Sequence, residues 1–180
     1  MPILQQKPVT PSGRFYLKNK VEVSKKRPEK SLTKGHHRKK GRNTYGRITS
    51  RRRGGGHKRL YRTIDFRRNR FDESAKIIAI EYDPNRTAHI ALLEYGDGEK
   101  CYILSPEGVQ IGDAILSSQK KIDFKTGNAM PLKHLPLGTK VHCVEMLPGA
   151  GAKIARTAGS GVGWFLLMEM RLLLNCQVVK

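Results

Sequence analysis

The stretch RRRGGGHKRLYR at residues 51–62 brings together the residue types that bind phosphate. A nucleotide-hydrolysing loop of the Walker A kind needs Gly-x-x-x-x-Gly-Lys-Ser/Thr ahead of a helix. Here Gly56 is followed by His57 and Lys58, then by Arg59 in place of Ser/Thr, and a strand pattern comes next. Spacing and context both fail, so nucleotide hydrolysis is set aside. Gly54, Gly55 and Gly56 still let the backbone approach a phosphate closely, because no Cβ intervenes. Arg51, Arg52, Arg53, Lys58, Arg59 and Arg62 surround them, with guanidinium groups suited to phosphate contacts and to stacking on bases. The plain alternative is a solvated linker.

Other chemistry is weaker. His36, His37, His57, His89, His134 and His142 form no set with metal-ligand spacing, and there is no His-Glu-x-x-His, so no metal site and no cofactor are expected. Asp72, Glu73, Asp97, Glu99, Asp113 and Glu145 fall mostly at turns and strand ends. A hydrolytic pair among them, as in a small basic nuclease, would show as metal-dependent RNA cleavage, but no catalytic residue is assigned. Arg86 and Arg156 each sit in a turn or a glycine-rich loop, where a lone arginine is either a surface charge or a ligand for a polyanion. Tyr45, Tyr61, Phe66, Phe71, Tyr82, Tyr95 and Tyr102 either stack on unpaired bases or fill a core.

The charge is lopsided. Residues 1–70 hold 23 Lys+Arg against 3 Asp+Glu, and residues 71–180 hold 12 of each, so the whole net charge of +20 lies in the first part. A block of like charge of this size implies a polyanionic partner on which it orders. The same reasoning adds Lys39, Lys40, Arg42, Arg47, Arg67 and Arg68 to the expected RNA contacts, and Lys153 in the later glycine-rich loop is counted with them. No small-molecule substrate and no membrane partner are expected. Cys101, Cys143 and Cys176 are odd in number and far apart, which argues against a disulfide framework and for a reducing compartment. The opening MPILQQKPVTPSG lacks the apolar core of a secretory signal. Trp164–Leu174 is apolar but interrupted by Glu169 and Arg171, and too short to span a bilayer.

The elements that must position these residues are predicted to be strands. Residues 1–59 show no sustained periodicity and read as an extended basic arm with little secondary structure. YRTIDFRR (61–68) alternates as a half-buried strand. AKIIAIEY (75–82), TAHIALLEY (87–95) and EKCYILS (99–105) read as strands joined by DPNR and GDG turns. SPEGVQIGD (105–113) suits a barrel rim, and short strands with turns every 8–12 residues indicate a small antiparallel barrel. Beyond 127, MPLKHLPLGT reads as a Pro-rich connection, TKVHCVEM (139–146) as one strand, and PGAGAKIARTAGSG as a glycine-rich loop. The expected fold is all-β, divided into 1–59, the arm; 60–126, one barrel; and 127–180, the start of another.

Three segments carry a resemblance: KSLTKGHHRKKGRNTYGRITSRRRGGGHKRLYRTIDFRR (30–68), EYDPNRTAHIALLEYGDGEKCYILSPEG (81–108) and GNAMPLKHLPLGTKVHCVEMLPGAGAKIARTAGS (127–160). Over roughly residues 1–160 the chain resembles the second protein of the large ribosomal subunit, the universal L-two family in its bacterial or organellar form. The resemblance implies a basic arm, an OB-like barrel and an SH3-like barrel. It implies a primary rRNA-binding role near the peptidyl-transferase region, with large-subunit rRNA and neighbouring ribosomal proteins as partners, and no enzymatic activity. The arginines of the family's Asp-Pro-Asn-Arg turn and Ala-Arg-Ser/Thr-Ala-Gly loop fall on Arg86 and Arg156, which the resemblance makes rRNA contacts. The start shows no Arg- and Ser-rich amphipathic transit peptide, so a bacterial cytoplasmic ribosome is expected, with an organellar one as the alternative. A non-ribosomal OB-fold binder of single strands is the rival reading; it would share the barrel but would not need the glycine–arginine arm in this order.

The resemblance stops near residue 163, and the family's normal C-terminal part is lacking. WFLLMEMRLLLNCQVVK offers no turn residue between Trp164 and Leu174, where the family places a strand, an Asn-Gly or Asp-Gly turn and a second strand. The genetic code supplies a reason. With each codon begun on the third base of the present one, Trp164–Phe165 forces Val, Met168–Glu169 forces Gly, Glu169–Met170 gives Asn or Asp, and Asn175–Cys176 forces Leu. The junctions that follow permit Pro-Ser-Gly-Glu. Residues from about 163 onward are therefore expected to be an out-of-frame translation. Reading the DNA across codons 158–166 checks this: clean bases with no family-like continuation in the shifted frame would leave a divergent tail or a split gene instead.

Overall fold

The computed structural model describes residues 3–19, 23–37, 39–163 and 175–178. The fold is all-β, with three short 3-10 turns and no α-helix among the described residues. Most of the expected out-of-frame tail lies outside them. No helix among them is long and apolar enough to cross a membrane.

The arm is more structured than its composition suggests. β1 (Ile3–Gln5) and β2 (Leu17–Asn19) form an antiparallel hairpin. β3 (Thr33–Gly35) pairs with β4 (Leu60–Arg62), and the Ser24 N–H donates to Ile80 O at 2.8 Å. Polar, unperiodic segments acquire order here because their backbone groups find strand partners, within the arm or on the body of the protein, which side-chain pattern does not report. The expected strand at 61–68 ends at Arg62. Beyond it the chain makes one parallel bridge, Ile64 to Tyr102, and then turns at Asp65, whose Oδ1 accepts the N–H groups of Arg67 and Arg68 at 2.9 Å each.

β5 (Ser74–Glu81), β6 (Ile90–Tyr95), β7 (Lys100–Leu104) and β8 (Ala114–Leu116) form an antiparallel sheet in the order β7-β6-β5-β8. β6 is apolar on both faces because both are covered. Ile90 and Leu92 enter one core cluster with Ile64, Tyr102 and Leu104, whereas Ala91, Leu93 and Tyr95 enter another with Ile103, Val109 and Ile115. A bulge between Ile77 and Ala79 lets β5 follow this arrangement. Ala75 and Ile77 face the second cluster, and the extra residue turns Ala79 into the first, opposite Leu92.

The second unit holds β9 (Ala129–Pro131), β10 (Lys140–His142), β11 (Val144–Glu145), β12 (Ala152–Ile154), β13 (Val162–Gly163) and β14 (Asn175–Val178). One sheet has the order β13-β10-β14-β9, and β11 pairs with β12. The Pro-rich connection thus contains β9 and a 3-10 turn at Leu132–His134. The single strand expected at 139–146 is two. Cys143 adopts φ 53°, in the left-handed region, and this one residue sends β10 and β11 into different sheets. Its side chain is thereby buried in the first core cluster together with Ala152, so the two units share a core. Met130, Leu132, Leu135, Val141 and Val144 form a third cluster of the second unit's own.

Next to this shared core lies a cation with no carboxylate in contact among the described residues. Arg68 is buried, donates from Nη1 to Gly127 O at 2.7 Å, and leaves Nε unbonded. Burial lowers its pKa, with only partial opposition from surrounding groups. His142 is also buried with Nε2 unbonded; burial first and the Arg68 charge second push its pKa down to about 4. Its folded pKa lies below the ordinary 6.5, so the unfolded chain binds more protons between these values. The protein should therefore hold this contribution above pH 6.5 and lose on the order of 3 kcal/mol as pH falls through to 4. Urea unfolding across pH 4–7 should show that slope, and the His142→Gln variant should flatten it.

Candidate nucleic-acid interface

The glycine run folds into a cationic turn. Gly41 O accepts the N–H groups of Thr49 and Ser50 at 2.9 and 3.1 Å, Asn43 Oδ1 accepts the Arg47 N–H at 2.9 Å, and Arg42 Nη1 donates to Gly46 O at 2.8 Å. Arg52, Gly54, Gly55 and Gly56 all take positive φ, the conformation that three glycines make easy. The turn encloses a concavity of about 240 Å3 lined by Lys40, Arg42, Ile48, Ser50, Arg52, Arg53, Gly54 and Gly55, four of them cations and none an acid. A second hollow of about 510 Å3 is lined by His36, His37 and Lys39 and shares Arg53 and Gly54 with the first. Lys39, Lys40, Arg42, Arg47, Arg51, Arg52, Arg53, Gly54, Gly55, Gly56, His57, Lys58 and Arg59 are all exposed to solvent.

Two expected contacts are corrected. Arg62 and Arg68 are buried and bonded within the fold, unlike the exposed cations expected beside them. Arg62 donates from Nη1 to Leu60 O at 3.2 Å and lies 3.8 Å from Asp83, while Arg68 holds Gly127 O. Their place beside exposed basic residues hid this, because the alternation over 61–64 turns Arg62 inward with Ile64. Arg67 and Lys153 are exposed.

Arg86 stands at the end of a turn built around Asp83. The Asp83 side chain is fully buried and accepts the Asn85 N–H and Asn85 Nδ2 at 2.9 Å each, and Arg86 Nε at 2.5 Å. Asn85 Nδ2 also reaches Leu60 O at 2.7 Å, tying the turn to β4. Asp83 is the site residue that sequence reading missed. Its signal is its place at the first position of Asp-Pro-Asn-Arg, where a carboxylate can gather the N–H groups that follow. Arg156 is exposed, and its Nη1 donates to Ala152 O at 3.2 Å. The two loops touch: the Ala158 N–H donates to Thr87 Oγ1 at 3.3 Å, and both arginines approach the ring of Phe66. Tyr45 and Tyr82 are exposed aromatic faces beside this cationic surface, whereas Tyr95 and Tyr102 are core. Tyr102 donates to Glu81 at 2.9 Å and accepts the Glu29 N–H at 2.9 Å, and burial pushes its pKa up to about 12.

No group of three or more metal-ligating side chains occurs among the described residues. Cys101 and Cys143 are free thiols, and burial pushes Cys143 up to about 12.

Residues 29–117 match the family described as ribosomal proteins L2, RNA binding N-terminal domain, and residues 125–166 match the L2 C-terminal domain. Curated relatives named large ribosomal subunit protein uL2 are similar over most of the chain. The protein of Opitutus terrae is 54% identical over 165 residues, covering 90% of this chain and 57% of its own length. That of Akkermansia muciniphila is 56% identical over 154 residues, covering 85% and 55%, and that of Rickettsia canadensis 56% over 156 residues, covering 86% and 57%. The chain thus spans a little over half the length of these relatives.

The cationic turn depends on Gly41. Its φ is +66°, and a Cβ there would stand 2.4 Å from Ser50 O and 3.2 Å from Arg53 Cβ. Gly41→Ala should weaken the 41–56 turn by roughly 1–3 kcal/mol. Hydrogen exchange of the Thr49 and Ser50 amides should then speed up by about tenfold or more, with the β5–β6 amides unchanged. Gly35→Ala, where nothing lies within 4 Å, should be silent.

Proposed function

Because the chain belongs to the ribosomal protein L2 family, we propose that it is a structural, non-enzymatic, rRNA-binding constituent of the large ribosomal subunit. The observation that carries this reading is a chain whose entire net charge of +20 lies in residues 1–70, the arm and the start of the body, joined to a neutral β remainder whose loops bring a half-buried Arg86 and an exposed Arg156 together on one side. A solvated tail would need no such body, and a lone OB-fold binder would need neither the arm nor a family match continuing through residues 125–166.

In this reading residues 1–59 are the arm, 60–126 an OB-like barrel and 127–180 the start of an SH3-like barrel. The arm's exposed cations take up phosphates, and the glycine turn lets backbone come close to them. Exposed aromatics add stacking on unpaired bases. The site lies near the peptidyl-transferase region and supports assembly and subunit association, with neighbouring ribosomal proteins as further partners. Relatives in three bacteria favour a bacterial, cytoplasmic ribosome over an organellar one.

The test is binding of the full chain to a large-subunit rRNA fragment in the presence of excess tRNA and duplex DNA. Binding should resist the competitors, and its affinity should fall with salt with a log–log slope of about 0.7–0.9 per phosphate neutralised. Arg156→Ala and Arg86→Ala should each weaken binding by roughly tenfold and reduce the slope by about one. Arg86→Ala should also cost stability, because it removes the nearer cation from buried Asp83 and leaves it the Asn85 hydrogen bonds and the more distant Arg62. Binding that any polyanion displaces, with both substitutions silent, would refute the specific reading.

A further inference from the structure

Phe66 stands where the two loop arginines meet. Arg156 Cζ lies 4.6 Å from the centre of its ring and Arg86 Cζ 6.0 Å from it. Arg86 is also 5.9 Å from the Tyr61 ring centre. Both distances to Phe66 fall in the range over which an aromatic face attracts a guanidinium. The ring is held firmly. Phe66 O accepts the Ala152 N–H at 2.9 Å, and the half-buried side chain packs against the core cluster shared by the two units.

We propose that Phe66 is a positioning residue that holds Arg86 and Arg156, one from each β unit, as a single two-guanidinium grip for RNA phosphates. The inference rests on the RNA-binding role of these arginines proposed above. Two like charges brought to one place repel, and each long side chain loses rotamer freedom when it binds. The common ring attracts both. Asp83 balances one of the charges, and the Ala158–Thr87 hydrogen bond keeps the loops together. The repulsion and the ordering are thus met before RNA arrives, and phosphate finds the guanidinium groups already placed. No other aromatic ring among the described residues faces both arginines.

The test uses the full chain and the same rRNA fragment, with Phe66→Leu and Phe66→Tyr alone and combined with Arg86→Ala or Arg156→Ala, at a temperature where each variant is fully folded. Phe66→Leu keeps an apolar side chain but removes the ring face. It should weaken binding about threefold to tenfold, lower the salt slope, and add little to either arginine substitution. Phe66→Tyr should bind as the unmutated chain does. Additive effects of Phe66→Leu with both arginine changes, or an unchanged salt slope, would overturn the proposal while leaving the arginine contacts standing. Silent arginine substitutions would overturn both. Should Phe66→Leu fail to fold, the unmutated chain still decides: ring-current-shifted Arg86 and Arg156 side-chain protons are expected in its NMR spectrum, and their absence would sink the idea.

Discussion

The hydrogen bond from the Ala152 N–H to Phe66 O is the link on which the arrangement of both units depends. The segment from Thr63 to Asp72 has almost no regular structure, yet it bonds to the arm, to the β5–β8 sheet region and to the second unit. The Thr63 N–H donates to Leu32 O in the arm, Asp65 N–H to Tyr102 O in β7, and Asp72 N–H to Ser117 O beyond β8. Arg68 reaches Gly127 O at the entry to the second unit. The segment runs between the sheets because its backbone groups are satisfied by three different neighbours instead of one parallel partner. Gly151 shows how close the approach is: it has φ +87°, and a Cβ there would meet Arg67 Cγ at 3.3 Å and Phe66 O at 3.6 Å. Glu145 holds the same corner from the other side, its carboxylate accepting the Gly149 and Gly151 N–H groups at 2.8 and 3.0 Å.

A fold whose first 70 residues carry a net charge of +20 faces an electrostatic problem, and its carboxylates are placed accordingly. Most of the arm's charge is exposed and left to solvent, where repulsion is screened. Where cations turn inward, they meet oxygen. Asp83 sits between Arg62 and Arg86, and carbonyl oxygens take Arg62 and Arg68. The surface holds a separate arrangement, in which Arg70 binds Glu73, Asp97 and Glu99 and lies over Tyr95 at 4.6 Å. These pairs are half to mostly exposed, so they contribute little to stability. Their effect is to neutralise a region of the body distinct from the arginine loops.

Strands with regular alternation and bounded turns were legible in the sequence. AKIIAIEY and EKCYILS lie where their patterns place them, and DPNR and GDG are turns. The failures have two causes. At Arg62 and at Cys143 the chain leaves its sheet, and side-chain alternation persists for a few residues after strand pairing has stopped. In the arm and the Pro-rich connection, short strands form by backbone pairing that the side-chain pattern does not report. Nothing in TKVHCVEM announces a left-handed residue, since cysteine offers no preference for it. Charge was a good guide to the arm's surface and a poor one near the body, because Arg62 and Arg68 belong to the same basic run as the exposed residues but fall on inward positions. The convergence of Arg86 and Arg156 on one ring could not be read at all. It joins residues seventy positions apart through a shared core that only the packed structure contains.

The division of labour between arm and loops then follows from physics. A flexible cationic arm gains affinity for any polyanion, because each phosphate it neutralises releases counterions whatever the sequence beneath. It does not by itself choose a register. Arginines fixed on a folded body contribute less charge but fixed geometry, since a planar guanidinium matches a phosphate only from limited directions. Phosphate contacts position a protein when they are rigid relative to one another. In the proposed grip, Arg86 and Arg156 are held relative to one another because both approach the ring of Phe66, which packs on a core contributed by both units. Selectivity among RNA shapes is therefore expected to reside in the neutral half of the chain, the half whose net charge alone would have excluded it from a nucleic-acid interface.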